Sequence, residues 1–180
     1  MKVLITGGAG FIGSHLARKL IEKNYKIVVI DNFSTGSKHN IKDLIKKNNF
    51  ELISGTVYDK KLVNNTVKSV DTVFHLAAAV GVKLIVSSPS ETIKNNLEGA
   101  KVIFDAAKKY KKRLIFSSTS EVYGKSDSIP FNENADLIIG SSRFSRWSYA
   151  CAKLMDEFLA YSYFQEYQLP VTIVRLFNTV

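Results

Sequence analysis

The chain has 180 residues, 46% of them hydrophobic, enough for one domain with a sizeable core. No apolar run reaches the roughly 18–20 residues of a membrane span, and Met1-Lys2-Val3-Leu4-Ile5-Thr6 runs into Gly-rich sequence with no small-residue cleavage site. The formal charge of +9 comes mostly from scattered lysines, so nucleic acid is not the expected partner; the single cysteine, Cys151, excludes an internal disulfide and fits a reducing cytoplasm.

The first apolar run, Lys2–Thr6, reads as a buried parallel strand. Thr6-Gly7-Gly8-Ala9-Gly10-Phe11-Ile12-Gly13 follows it and opens a helix-like stretch over Phe11–Lys23. Gly7 allows a tight turn, Gly10 lets backbone N–H groups approach a pyrophosphate, and Gly13 lets helix and strand pack closely. Phe11 and Ile12, between the last two glycines, complete the candidate cofactor loop, and the helix N-terminus faces the anion. The second strand, Lys26–Asp31, ends on a carboxylate 18 residues after Gly13. That group can accept hydrogen bonds from a ribose diol and would repel a 2′-phosphate, which favours NAD over NADP. The plainer alternative is a turn residue before Asn32.

A helix over His39–Lys47, a strand over Glu51–Ser54, a helix over Lys60–Lys68 and a strand over Thr72–Leu76 follow. The long helix Ser90–Tyr110 ends in Lys108-Lys109-Tyr110-Lys111-Lys112-Arg113, where cations suit the helix dipole. A solvated helix end is the expected reading there, a polyanion site the alternative. The strand Arg113–Ser117 leads into Ser117-Ser118-Thr119-Ser120-Glu121, whose hydroxyls emerge at the sheet's carboxyl edge.

From Lys125 to Trp147, 23 residues containing Pro130, Asn132, Asn134 and Gly140 separate that strand from a helix over Ser148–Tyr167. Connections longer than about 12–15 residues are usually functional or disordered. This one is expected to be a substrate-facing lid, with Arg143 or Arg146 available to a phosphate or a uronic carboxylate. The alternative is a solvent loop whose arginines pair with Glu133 or Asp136. In the last helix Tyr149 and Lys153 are four apart and share a face. A neighbouring ammonium lowers the pKa of a phenol and makes it a usable general base. Cys151, between them, is expected to pack rather than react. After a strand over Val171–Leu176 the chain breaks off at Val180, and a fragment of a longer enzyme is expected, with residues 1–180 forming one domain. Six strands alternating with helices imply right-handed crossovers and an α/β, doubly wound, Rossmann-type sheet with helices on both faces.

Together these residues resemble the extended short-chain dehydrogenase/reductase family, the NAD-dependent nucleotide-sugar epimerases and dehydratases. The motifs run along the whole chain: Thr6 to Gly13, Asp31-Asn32, His75-Leu76-Ala77-Ala78, Asn96-Leu97-Glu98-Gly99, Ser117 to Gly124, Tyr149 with Lys153, and Arg175-Leu176-Phe177-Asn178. The resemblance implies that Asp31, Asn32, Leu76, Ala77, Ala78, Asn96, Tyr149 and Lys153 join the Gly-rich loop around NAD. It implies that Thr119 is the hydroxyl beside the catalytic Tyr149, that Ser120 and Glu121 belong to the same catalytic group, and that Asn178 contacts the nucleotide-sugar. Where the family usually has Gly-Asp after the third strand this chain has Gly55-Thr56, so Thr56 and Val57 would meet the adenine without the usual carboxylate. The family's substrate lobe, which follows these motifs, is absent from the sequence.

The implied chemistry begins with Tyr149 removing the sugar 4-hydroxyl proton as C4 gives hydride to the nicotinamide. Thr119-Ser120-Glu121 is similar to GDP-mannose dehydratases and UDP-glucuronate decarboxylases. The stretches Lys111–Ser117 and Leu137–Trp147 lean towards the decarboxylases, with a UDP-sugar 4-epimerase or a 4,6-dehydratase as the alternatives. No metal is expected. The helices Ser90–Tyr110 and Ser148–Tyr167 carry surplus apolar residues, including Phe104, Phe158, Tyr161 and Phe164, and the resemblance implies a homodimer through them. A non-catalytic dinucleotide-binding protein would need the glycines and Asp31 but not Tyr149 with Lys153.

Overall fold

The computed structural model describes residues 1–78, 88–127 and 129–179; Ser128 and Val180 of the segments discussed above lie outside the described residues. Six strands, β1 (Lys2–Thr6), β2 (Lys26–Asp31), β3 (Phe50–Ser54), β4 (Thr72–His75), β5 (Arg113–Thr119) and β6 (Val171–Leu176), form one sheet in the order β3-β2-β1-β4-β5-β6. Every pairing is parallel. The order reverses between β1 and β4, so their carboxyl ends open the crevice in which doubly wound sheets bind ligands.

The two faces are filled by alternating residues, as a strand's period of two requires. Val3, Ile5, Ile27 and Val29 pack with Ala17 and Ile21 of α1 (Phe11–Glu22), and with Ile41 and Leu44. Leu4, Val28, Val73, Leu114 and Phe116 face the other way. They pack with α2 (Lys60–Lys68), α3 (Pro89–Lys109) and α4 (Trp147–Tyr167) through residues such as Val63, Ile103, Phe104 and Ala160. Among the described residues no helix is long and apolar enough to cross a membrane.

Most expected elements recur within a residue or two, but one does not. In place of a helix over His39–Lys47 there is a 3-10 turn, Lys38–Ile41, followed by irregular turns. The Asn40 carbonyl, which an α-helix would give to the Leu44 N–H, accepts from the Arg18 guanidinium, and Leu44 turns to the Ile41 carbonyl at 2.9 Å. Arg18 also forms a two-point ion pair with Asp43, at 2.9 and 2.8 Å, which holds that carboxyl down at about 2. Tertiary bonds have replaced the helical ladder.

β5 also runs two residues further than expected, because Ser118 and Thr119 pair with Arg175 and Leu176 of β6. Phe104 is fully buried against Phe116 and Tyr163, so it adds nothing to the outer surface of α3. Cys151 is exposed rather than packed in the core, four residues before Met155 on the outer face of α4. The basic end of α3 is partly engaged: Lys108 lies 4.3 Å from the Tyr167 ring centroid and 3.8 Å from Asp105.

Candidate active site

A cleft of about 840 Å³ lies along the carboxyl ends of the strands. At one end the turn after β1 carries Gly7 at φ 71°, a left-handed conformation that favours glycine. A Cβ on Gly13 would stand 2.4 Å from the Gly7 carbonyl oxygen, so this approach of helix to loop needs hydrogen there. Gly10 begins α1 with no side-chain cap, and the first turn has no acidic residue. The N–H groups of that turn are thereby left to a ligand, and an anion suits them. Gly7, Gly10, Phe11, Ile12 and Gly13 all line the cleft.

Asp31 is buried at the end of β2 and lines the same space. Its Oδ2 accepts from the Ala9 N–H and its Oδ1 from the Phe33 N–H, each at 2.8 Å. Each carboxylate oxygen accepts more than one hydrogen bond, so capacity remains for a diol. The Ala9 carbonyl in turn accepts from the Ser37 N–H at 3.0 Å and the Asn40 amide at 2.9 Å. These bonds draw residues 33–37 over the Gly-rich loop and bring Ser34, Thr35 and Gly36 into the cleft beside Asn32. Sequence reasoning missed those three; the turn-rich run Asn32-Phe33-Ser34-Thr35-Gly36 directly after Asp31 was the available signal.

The floor comes from the neighbouring strands. Thr6 Oγ1 shares a hydrogen bond with His75 Nδ1 at 2.7 Å and accepts from the Ala77 N–H at 3.2 Å, which ties the ends of β1 and β4 together. Burial, reinforced by the charge of Lys153, takes His75 down to about 3, so the ring is neutral and can accept that bond. Leu76, Ala77 and Ala78 line the cleft, as do Thr56 and Val57 after β3. On α3 it is Asn95, not Asn96, that lines it; Asn96 is buried. Successive helical residues are about 100° apart, so adjacent asparagines face different ways.

At the other end Ser117, Ser118, Thr119, Ser120 and Glu121 line the cleft together with Tyr149 and Asn178. Thr119 Oγ1 accepts from the Glu121 N–H at 3.2 Å and starts a 3-10 turn, Ser120–Tyr123, which leaves the Thr119 proton free to donate. Lys153 lies one helical turn beyond Tyr149, buried, with Nζ 4.3 Å from the centroid of Phe116. The Tyr149 phenol is not lowered as the Tyr–Lys spacing predicts. Burial pushes it up to about 12, with help from the charges of Glu121 and Asp156. The same burial draws Lys153 below its ordinary value, and Asp156 and Glu157 oppose that fall.

Arg143 and Arg146 stand apart from this grouping. Both are exposed, neither lines the cleft, and neither pairs with Glu133 or Asp136. The Arg146 guanidinium lies 4.8 Å from the Trp147 ring. Their loop is fastened by a bridge between Gly124 and Ile138, a stack of Phe131 on Tyr123 at 4.6 Å, and close contact of Gly140 with Trp147. No described residue from Lys125 to Trp147 lines the cleft; the loop reaches its rim through Phe131, which stacks on the cleft residue Phe177 at 6.2 Å.

The family described as GDP-mannose 4,6 dehydratase matches residues 4–180. The chain is 44% identical over 177 residues to the UDP-N-acetyl-alpha-D-glucosaminuronate decarboxylase of Bacillus cytotoxicus, covering 98% of this chain and 54% of that protein. It is 36% identical over 178 residues to UDP-glucuronic acid decarboxylase 1 of Danio rerio, covering 99% of this chain and 41% of that protein. Among solved structures it resembles a dTDP-glucose 4,6-dehydratase from Streptomyces venezuelae with NAD and TYD bound. The TM-score is 0.88 at 30% identity, over 97% of this chain and 55% of that one. It also resembles a UDP-N-acetylglucosamine 4-epimerase from Methanobrevibacter ruminantium M1, with TM-score 0.87 at 32% identity, over 97% of this chain and 54% of that one. The chain spans about half the length of the curated relatives it matches.

Proposed function

The chain belongs to the GDP-mannose 4,6 dehydratase family, and from that premise we propose that it is the NAD-binding domain of an enzyme that modifies a UDP-linked sugar through a 4-keto intermediate. The observation that carries this reading is one cleft lined at one end by Gly7, Gly10, Gly13 and Asp31 and at the other by Thr119, Glu121 and Tyr149. The donor set fits a dinucleotide. Uncapped N–H groups at the start of α1 suit the pyrophosphate, and the anchored Asp31 carboxylate suits a ribose diol and disfavours a 2′-phosphate.

When bound, NAD supplies a reversible hydride acceptor for C4 of the sugar. Tyr149 is the group that takes the 4-hydroxyl proton, and Thr119, with its proton free, orients that hydroxyl. Lys153, buried one helical turn further along α4, is the counter-charge to the phenolate. Asn178 and Ser120 line the sugar end. A 4-ketone lets a C6 carboxylate leave as carbon dioxide, and the named decarboxylase relatives favour that outcome for a UDP-uronic acid. Glu121 in the same cleft gives a dehydratase the base it needs at C5, so loss of water from a neutral hexose is the second reading. A 4-epimerase would share the first step and return hydride to the other face.

Full-length enzyme incubated with NAD and UDP-glucuronic acid, UDP-N-acetylglucosaminuronic acid or UDP-glucose separates these outcomes. Carbon dioxide and a UDP-pentose or its 4-keto precursor are expected from the uronic acids. An inverted C4 or a 4-keto-6-deoxy product from UDP-glucose, without decarboxylation, would replace the reading by one of its alternatives.

We further infer a cytoplasmic homodimer. Met155, Phe158, Tyr161 and Phe164 on the outer side of α4 are 57, 62, 57 and 46% exposed, while the outer side of α3 carries Lys94, Glu98 and Lys101. An exposed aromatic stripe of this kind suits a symmetric contact. Sedimentation of the full-length protein as a monomer at high concentration would exclude it.

A further inference from the structure

Helix α4 buries three charged residues within five positions: Lys153, Asp156 and Glu157. Glu157 is accounted for by Arg175 of β6, whose Nε and Nη2 donate to its carboxylate at 3.1, 3.3 and 2.8 Å. Asp156 is not. It is 1% exposed, and neither carboxylate oxygen has a hydrogen-bond partner. A buried carboxylate without partners is expensive and persists only where something offsets it. The nearest opposite charge in the helix is Lys153, three residues back and therefore on the same face.

Of the surrounding charges, Arg175 is held by Glu157 through Nε and Nη2, while its buried Nη1 has no hydrogen-bond partner, and Asp105 of α3 accepts from the Tyr163 hydroxyl at 2.6 Å. His75 of β4 is neutral, and Glu121 lies at the cleft surface beside Tyr149. Burial pushes the Lys153 ammonium down, and Asp156 first, then Glu157, hold it up. The same burial raises Asp156, and Lys153 opposes that.

We propose that Asp156 is a positioning residue that acts through Lys153, keeping this buried side chain an ammonium one helical turn from Tyr149. The role rests on the reading of Tyr149 and Lys153 as the catalytic pair, but the coupling itself is measurable without turnover. Removing the carboxylate leaves burial less opposed, so Lys153 loses its proton at lower pH. The window in which a charged Lys153 can stabilise a phenolate then closes earlier on the alkaline side.

The test uses full-length protein carrying ¹³C-labelled lysine, with the Lys153 side-chain resonance assigned by its loss in Lys153→Met. In Asp156→Asn the titration midpoint of that resonance is expected to fall by about 1 pH unit, the usual effect of one nearby opposite charge. Asp156→Leu is expected to give the same shift, since charge rather than hydrogen bonding is the cause, and it serves if the Asn variant does not fold. In active enzyme the alkaline limb of kcat moves down with the midpoint while KM stays put. An unmoved midpoint in the folded variants overturns the proposal, whatever the enzyme does to a sugar. A moved midpoint in a protein that turns over no nucleotide-sugar would leave the coupling standing and remove the functional reading instead.

Discussion

The two ends of the cleft are built by different means. Around Gly7–Gly13 the parts are fixed by backbone: a left-handed glycine, an uncapped helix start, and N–H groups that hold Asp31 in place. Around Tyr149 they are fixed by side chains, with Lys153, Asp156 and Glu157 buried on α4 and Glu157 paired with Arg175 of β6. Backbone geometry tolerates little substitution but is indifferent to pH. Buried charge is sensitive to both substitution and proton activity, so the sugar end is where chemistry can be tuned and where it is most easily lost.

The largest effect expected from this contrast falls on Tyr149→Phe. The ring keeps its packing and loses the hydroxyl proposed to take the substrate proton. Turnover by the full-length enzyme should drop by roughly 10²–10⁴-fold, the usual worth of a positioned acid–base group. NAD binding and thermal stability should hardly change. A variant that retains more than a tenth of the activity would move the proton transfer to another group.

The next effect lies between the two ends, at His75. Its folded pKa, about 3, is below the ordinary histidine value of 6.5. The folded state therefore binds fewer protons than the unfolded state between these values, and stability is complete above 6.5 and falls as pH drops towards 3. The loss is on the order of 1.4 kcal/mol for each unit of that interval. Thermal melts from pH 7 to 4 should show this slope, and His75→Gln, which retains an acceptor for Thr6, should flatten it. Equal slopes in both proteins would show that other groups carry the acid sensitivity.

The contrast also explains what could be read in advance. Gly7, Gly10, Gly13 and Asp31 were legible because a backbone conformation that needs glycine leaves its requirement in the sequence at fixed spacing. The six strands were legible for a similar reason, since buried parallel strands must be continuously apolar. The segment after Ser37 was not, because the Arg18–Asn40 and Arg18–Asp43 bonds that replace its helix join residues 22 and 25 apart. At the sugar end the Tyr149–Lys153 spacing was visible, but the burial that raises the phenol was not, nor was the unpartnered Asp156 on the same helix. A pairing rule records distance along a helix. It does not record how much water the fold removes.

At the cofactor end, Asp31→Asn should weaken NAD by about 1.5–3 kcal/mol, the range for hydrogen bonds to a charged group, or roughly tenfold to a hundredfold. NADP, no longer facing a carboxylate, should lose little or gain. Calorimetric titration of both cofactors into wild type and variant tests this, and a parallel loss for the two would assign Asp31 to holding the Ala9 and Phe33 N–H groups rather than to the ribose.

The smallest effects are expected at Arg143 and Arg146, where the side chains lie outside the cleft on a loop fastened at Ile138, Phe131 and Gly140. Arg146→Ala removes a guanidinium from the face of Trp147, worth about 0.5–1 kcal/mol at an exposed site, and should appear as a small fall in Tm. Arg143 has no ion pair among the described residues, so Arg143→Ala should leave stability unchanged. Neither change should alter kcat or KM for a UDP-uronic acid beyond about twofold, because no contact to the cleft is lost. The neutral hexose counterpart is the control that gives this meaning. A rise in KM for the uronic acid alone would show that the loop leaves the position described here and closes over the sugar, bringing a cation to its carboxylate. That result would extend the side-chain-built end of the cleft by one mobile wall and leave the backbone-built end as it stands.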